Sequence, residues 1–321
     1  DWKGKFDYLN EYCKVIYLER TKGVSSSELR SEKRKLRMTV EGDDFLGTKF
    51  RNESRFVNGV EIASADADAY YLVTTPDKHY EQIKKFLLDG KHVLCESPIA
   101  CSGKECKELF EIAKKQKCVL MEGIKTAYST AYSRLLLLAK SGEIGKIVSV
   151  DATCTSMRDD LDSLENKWNS ISAWGPTALL PIFQLLGTNY TDKKIISHYI
   201  DDDKMFDGFT KIDFIYPDSV ASIKVAKTAK SEGELIITGT KGYIYVPAPW
   251  WKTDYFEIRY EDPTENKRYF YKLDGEGIRY EIVAFNRSIE SGKNYSYIDS
   301  KISIAISEII EACKSNNVIE I

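Results

Sequence analysis

Residues 68–125, "DAYYLVTTPDKHYEQIKKFLLDGKHVLCESPIACSGKECKELFEIAKKQKCVLMEGIK", alternate short apolar bursts with amphipathic stretches. "DAYYLVTT" (68–75) is a nearly continuous apolar run, the pattern of a strand covered on both faces of a parallel sheet. "YEQIKKFLLDGK" (80–91) then puts Ile83, Phe86 and Leu87 on one helical face, with Gly90 just past the end as a cap. "HVLCE" (92–96) reads as the next strand. Ser102 and Glu105 have the spacing of a capping box and open the helix "KECKELFEIAKKQ" (104–116), and "CVLMEG" (118–123) is a further strand. Strand, helix, strand, helix, strand at this spacing predicts a doubly wound parallel sheet.

Upstream, "LRMTV" (36–40) is another strand, and "EGDDFLGTKFRNESRFV" (41–57) turns into a helix. In open parallel sheets, ligands bind beyond the carboxyl ends of the strands. Three such ends carry polar or rigid groups: "TTP" (74–76), "ESP" (96–98) and "EGIK" (122–125). All three are expected at one crevice. The first strand–helix turn places Gly42, Asp44 and Gly47 at the positions of G-x-G-x-x-G. Gly42 suits the tight turn and Gly47 close helix packing, whereas a carboxylate at position 44 works against a phosphate at the helix N-terminus.

Beyond residue 130 the pattern changes. A helix at "YSRLLLLAKSG" (132–142) precedes an alternating strand, "KIVSVDATCTS" (146–156). Short strands then follow between 193 and 273, separated by "PDS", "SEG" and "TKG", which reads as an antiparallel meander. Helices return at 278–291 and 300–315. The expected organisation is a linker-like segment 1–34, a Rossmann-like parallel-sheet domain over 35–128, and an α+β domain with an open antiparallel sheet over 129–321.

Hydrophobic residues make up 43% and charged residues 30% of the 321, and the formal charge is −3. That is an ordinary globular composition, with nothing overall to attract nucleic acid. No apolar run approaches the roughly 20 residues needed to span a bilayer. Seven scattered cysteines form no CxxC pair, and the three histidines lie far apart, so neither a disulfide framework nor a metal site is expected. The odd cysteine count fits a reducing, cytoplasmic setting.

The stretch "YLVTTPDKHYEQIKKFLLDGKHVLCESPIACSGKECKELFEIAKKQKCVLMEGIKTAY", with its TP-x-x-x-H and GKHVLCE-x-P signatures, resembles the cofactor domain of the glucose–fructose oxidoreductase/inositol dehydrogenase (Gfo/Idh/MocA) family. The likeness runs on through "SGEIGKIVSVDATCT" and covers roughly residues 36–320. It implies use of NAD or NADP to oxidise or reduce hydroxyl groups of sugars and related polyols, with homo-oligomers formed through the antiparallel sheet. By this resemblance Gly42, Gly47, Thr75, Pro76, His79, Glu96 and Pro98 are candidate cofactor-binding residues, and Lys125, Thr177 and Ser97 candidate catalytic ones. Trp250, Trp251, Arg259 and Arg279 are candidates for the substrate side.

The departures from the family are grouped at its chemistry. Its Glu-Lys-Pro triplet is here Glu96-Ser97-Pro98, and its His or Tyr position falls on Thr177 in "WNSISAWGPTALLPIFQLLG" (168–187). Lys125 is the candidate to replace the missing ammonium, with Tyr128 as a proton-relaying neighbour. The family's further helix and strand between "GVEIASA" and "DADAYYL" are missing, so either the Rossmann sheet is trimmed or part of the native chain is absent from this sequence. With them goes the residue that distinguishes NAD from NADP.

Residues 1–30, "DWKGKFDYLNEYCKVIYLERTKGVSSSELR", resemble the C-terminal end of a glycerol-3-phosphate-type cytidylyltransferase, through Arg20, Thr21, Gly23, Ser25, Ser26 and Ser27. That likeness implies a fusion with a nucleotidyltransferase. Two functional expectations result: an oxidoreductase of a sugar or polyol, phosphorylated or nucleotide-linked in one version, or a catalytically weak member serving as a binding or scaffold module.

Overall fold

The computed structural model describes residues 4–16, 34–42, 44–157, 168–204, 206–315 and 317–321. It separates into two units, Asp1–Lys35 and Leu36–Ile321. In the first, a short 3-10 turn spans Asp7–Glu11, and residues 4–16 bury no side chain. The Arg20–Ser27 motif lies outside the described residues.

The second unit is built on two sheets. The five-stranded sheet has the order β2-β1-β3-β4-β5, from β1 (Leu36–Gly42), β2 (Val60–Ile62), β3 (Ala69–Val73), β4 (His92–Glu96) and β5 (Leu120–Gly123), and every pairing is parallel. Between these strands run α1 (Asp44–Ser54), α2 (Pro76–Leu88) and α3 (Gly103–Gln116). The sheet is therefore the trimmed form of the expected Rossmann-like fold.

Register explains how the trimming is possible. Parallel neighbours normally need a crossover of a dozen or more residues to carry the chain back to its starting level. Here Met38 of β1 faces both Ile62, the last residue of β2, and Ala69, the first of β3. The chain has only to step sideways over β1. Six residues suffice, and β1 itself anchors them: Thr39 Oγ1 donates to the Ala63 carbonyl at 2.9 Å, and Arg37 N–H to the Asp68 carboxylate at 3.1 Å.

The helices follow their sequence signals. Pro76 opens α2, and the helix turns Ile83 and Leu87 fully into the core. Burying each such side chain contributes about 1.5–3 kcal/mol. Ser102 accepts from the Glu105 N–H at the start of α3, half of the expected capping box.

The second sheet has nine strands in the order β13-β12-β11-β10-β6-β9-β8-β7-β14. They are β6 (Ile147–Thr155), β7 (Asp192–Tyr199), β8 (Asp207–Ile215), β9 (Val220–Ala226), β10 (Leu235–Gly239), β11 (Tyr243–Val246), β12 (Tyr255–Arg259), β13 (Lys267–Phe270) and β14 (Val318–Glu320). The expected antiparallel sheet is in fact mixed. β6 pairs with β9, and β7 with the C-terminal β14, in parallel. The first pairing arises because α5 (Ser170–Leu186) and the β7–β8 hairpin intervene between β6 and β9, so the chain re-enters in the same direction.

Three more helices complete the unit: α4 (Thr130–Lys140), α6 (Ile278–Ser291) and α7 (Ser300–Ala312). α7 packs on both α3 and α5, joining the two sheets. Its contact with α3 is close enough to require Gly103, whose Cβ would stand 2.3 Å from Glu308 Cγ. Among the described residues, no helix is long and apolar enough to cross a membrane, and all seven cysteines are free.

Candidate active site

A cavity of about 270 Å³ opens beyond the carboxyl ends of β4 and β5. The parallel sheet contributes Glu96, Ser97, Gly123, Ile124 and Lys125 to its wall. α1 adds Phe45, Leu46 and Lys49, the first turns of α5 add Ala173, Trp174, Pro176 and Thr177, and a 3-10 turn (Trp250–Lys252) adds Trp251 and Lys252. Trp174 and Trp251 lie with ring centroids 4.9 Å apart. The first turn of α5 is held by Asn169, whose side chain accepts from the Ser172 N–H at 3.0 Å.

Five predicted residues, Glu96, Ser97, Lys125, Thr177 and Trp251, meet at this cavity. The remaining candidates stand outside its lining. Gly42 ends β1 with φ +119, and a Cβ there would meet the β3 backbone 2.5 Å away. Gly47 lets α1 sit on Val40, with room for little more: a Cβ would be 3.0 Å from Val40 Cγ1. Thr75 and Pro76 begin α2. His79 is wholly buried, its ring nitrogens 2.7 Å from the Pro98 carbonyl and 2.8 Å from the Thr74 carbonyl. It pins the end of β3 to the turn after β4, and burial pulls its pKa below the ordinary value against these two carbonyls. Trp250 is core, with its indole N–H donating to the Thr153 carbonyl at 3.0 Å. Arg259 pairs with Glu257, and Arg279 with Glu53. Neither arginine reaches the cavity. The hydroxyl of Tyr128 meets Ser296 rather than Lys125, so Tyr128 does not act as the expected relay.

Beneath the half-buried Glu96 of the cavity wall lie two buried carboxyl groups, Glu122 and Glu281, and sequence reasoning did not bring the three together. Tyr71 donates to Glu96, and Ser97 donates to Glu122. Glu281, from α6, packs against Gly123, where a Cβ would be 3.5 Å from Glu281 Oε1. Glu122 Oε2 and Glu281 Oε1 have no hydrogen-bond partner among the described residues. Burial is the largest influence on all three and raises each pKa. The Tyr71 hydrogen bond opposes this for Glu96, and those of Ser303 and Ser97 oppose it for Glu122. Glu281 is pushed furthest, its burial reinforced by the charge of Glu96. Ser97 thus stands between the cavity and a protonatable carboxyl.

At the cavity edge, three lysines from three separate elements converge on one carboxylate. Lys49 and Lys125 each place Nζ 2.5 Å from Glu276 Oε2, and Lys252 places its own 3.3 Å from Oε1. Burial works to raise the Glu276 pKa, but hydrogen bonds from Lys125 and Lys49 overcome it and hold the group at about 2. Lys49 is lowered, mainly by burial and further by the nearby Lys125 charge. Of this group, the sequence singled out Lys125 alone.

After β1, Gly42 keeps the corner tight, and α1 begins at Asp44 with its N-terminal end at the sheet's carboxyl edge. Residues 42–124 match the model of a family described as oxidoreductases with an NAD-binding Rossmann fold, Gfo/Idh/MocA. That segment therefore carries the family's Rossmann fold.

A scyllo-inositol 2-dehydrogenase (NADP(+)), IolU of Bacillus subtilis (strain 168), is 41% identical over 76 residues, 23% of this chain and 23% of that protein. A glycerol-3-phosphate cytidylyltransferase of Bacillus spizizenii is 59% identical over 32 residues, 10% of this chain and 25% of that one. The matched stretches thus span about a quarter of these relatives' length. Over the whole fold, KijD10, a 3-ketoreductase from Actinomadura kijaniata solved with NADP and TDP-benzene, superposes with a TM-score of 0.74 at 16% identity, covering 90% of this chain and 99% of that one. The two-sheet architecture matches the fold of KijD10.

Proposed function

We propose that this chain is an NAD- or NADP-dependent oxidoreductase acting on a hydroxyl or carbonyl of a sugar or polyol. The observation that carries this reading is the cavity at the carboxyl ends of β4 and β5, where Glu96, Ser97, Lys125 and Thr177 meet. The Rossmann family match over 42–124 and the glycine turn at Gly42 support the cofactor. When bound, NAD(H) or NADP(H) supplies the hydride chemistry; the first turn of α1, Gly42, Gly47, Thr75 and Pro76 would hold its phosphate and ribose portions.

The chain's own residues manage the proton. In the reductive direction Ser97 Oγ gives its proton to the substrate oxygen as that oxygen gains charge, and Glu122, its pKa raised by burial, supplies one to Oγ from its protonated form and is left as the carboxylate. Lys125 supplies positive charge nearby and Thr177 a further hydroxyl. Trp174 and Trp251 exclude water and give a sugar ring apolar faces to lie against. Stapled by His79, the Thr74 and Pro98 backbones hold this wall in place.

The test uses reduced cofactor deuterated at the transferable position, offered with a panel of ketoses and aldoses and their phosphate esters. Deuterium in the product polyol, increased about 10²-fold by Ser97→Lys, is the expected result. If neither the natural chain nor Ser97→Lys transfers deuterium to any member, the reading fails, and the scaffold role becomes the better one.

The 32-residue cytidylyltransferase match favours a second, separate reading for the N-terminal segment: the remnant of a nucleotidyltransferase end. We also propose that the outer face of the nine-stranded sheet joins two copies of the chain. It presents Tyr243, Tyr245 and Tyr255, with the Arg259 guanidinium 4.4 Å over the Tyr245 ring. Sedimentation giving a monomer would refute this.

A further inference from the structure

The lysines at the cavity edge carry more charge than a neutral sugar requires. Lys49, Lys125 and Lys252 line the cavity, and three ammonium groups set against the single Glu276 carboxylate leave two positive charges in surplus. The three come from α1, from the 3-10 turn after β5 and from the Trp250–Lys252 turn, so nothing local in the chain forces them together. A fourth lysine, Lys227, also lines the cavity, as does the Glu96 carboxyl, so the four lysines set against ionised Glu276 and Glu96 again leave two positive charges.

The backbone around Glu276 is built to hold this arrangement. Gly275, Glu276 and Gly277 all have left-handed φ, at +61, +52 and +93. For a non-glycine residue that conformation is uncommon and persists where surrounding contacts impose it. Gly277 has no alternative, since a Cβ there would lie 2.0 Å from the Lys125 carbonyl oxygen. The turn therefore delivers one carboxylate to the lysines, enough to gather them but too little to neutralise them.

We propose that the substrate is a phosphate ester, its phosphate seated on Lys49, Lys125 and Lys252 while its hydroxyl or carbonyl lies at Ser97. A phosphate monoester carries about −1.5 to −2 at neutral pH, which matches the surplus, whereas a sugar acid carries one negative charge and a polyol none. Each ammonium has three donors, so the hydrogen bonds to Glu276 leave others for phosphate oxygens. This rests on the oxidoreductase reading above and narrows its substrate to phosphorylated sugars or polyols.

The same clamp would suit a phosphate of the cofactor, and the experiment separates the two sources. Tryptophan fluorescence, reporting through Trp174 and Trp251, is followed while glucose 6-phosphate, gluconate, glucose and inorganic phosphate are each titrated. The titrations are run with and without saturating NADH or NADPH. The expected result is that the phosphate compounds bind with nucleotide present, well ahead of gluconate and glucose. Lys252→Met and Lys49→Met should each weaken that binding about 10-fold or more. Equal binding of glucose and glucose 6-phosphate, or indifference to both substitutions, overturns the proposal. Displacement of phosphate by either nucleotide also overturns it, assigning the clamp to the cofactor. Phosphate binding that is sensitive to these lysines although neither nucleotide binds would leave the clamp standing and remove the oxidoreductase reading instead.

Discussion

Replacing Glu276 by glutamine removes the charge but keeps the shape of the group on which the three lysines converge. Held at about 2 against an ordinary 4.5, the carboxylate contributes at most about 3 kcal/mol at neutral pH, at 1.36 kcal/mol per tenfold shift. The four side chains are between 22% and 41% exposed, so solvent screening reduces this to about 1–2 kcal/mol. Glu276→Gln should therefore lower the melting temperature at pH 7 by about 3–6 °C. Because the folded pKa is depressed, the contribution is complete above the ordinary carboxylate range and disappears as pH falls toward about 2. The gap between natural chain and variant should accordingly narrow below about pH 4.5 and shrink in molar salt. The assay is paired thermal unfolding by circular dichroism across pH and salt. An unchanged or higher melting temperature for the variant at pH 7 would refute the reasoning, as would a gap that does not respond to acid.

Glu281→Gln should act in the opposite sense. The buried carboxyl has a raised pKa, so it costs stability increasingly as pH rises from the ordinary carboxylate range; the variant should gain on the natural chain between pH 5 and pH 9, read by urea unfolding. Glu122→Gln should keep the hydrogen bond to Ser97 but lower kcat for carbonyl reduction by about 10²-fold or more, and should flatten the fall in rate that Glu122 ionisation causes at high pH. His79→Ala should cost about 2–4 kcal/mol, by emptying a buried site and unpinning the Thr74 and Pro98 carbonyls, and should weaken cofactor binding in a fluorescence titration.

Four of the five parallel strands were legible because each is a short apolar burst followed by turn or helix-start residues; β2, three residues long with only Val60 buried, was not. The sheet's trimmed edge was visible only as a shortfall. That six residues bridge β2 and β3 depends on both strands meeting Met38, a register that no local pattern encodes. The mixed character of the larger sheet was hidden for a similar reason, since parallel pairing of β6 with β9 depends on what is inserted between them.

At the site, the strand-end rule found Glu96, Ser97 and Lys125, because residues that follow an apolar run must emerge at the sheet's edge. It missed Lys49, Lys252 and Glu276, which lie far apart in sequence and meet only through packing. Glu122 did leave a trace, as a charge inside the apolar run "CVLMEG". Glu281 sat in a segment whose Arg279 drew attention instead.

The central claim is that a nicotinamide dinucleotide occupies the crevice beyond β1, β3, β4 and β5. The direct measurement is quenching of tryptophan fluorescence during titration with NADH and with NADPH, repeated in Trp251→Phe. Saturable micromolar binding of at least one nucleotide, with the quench diminished in the variant, is predicted. Titrations that stay flat to millimolar nucleotide would contradict the account.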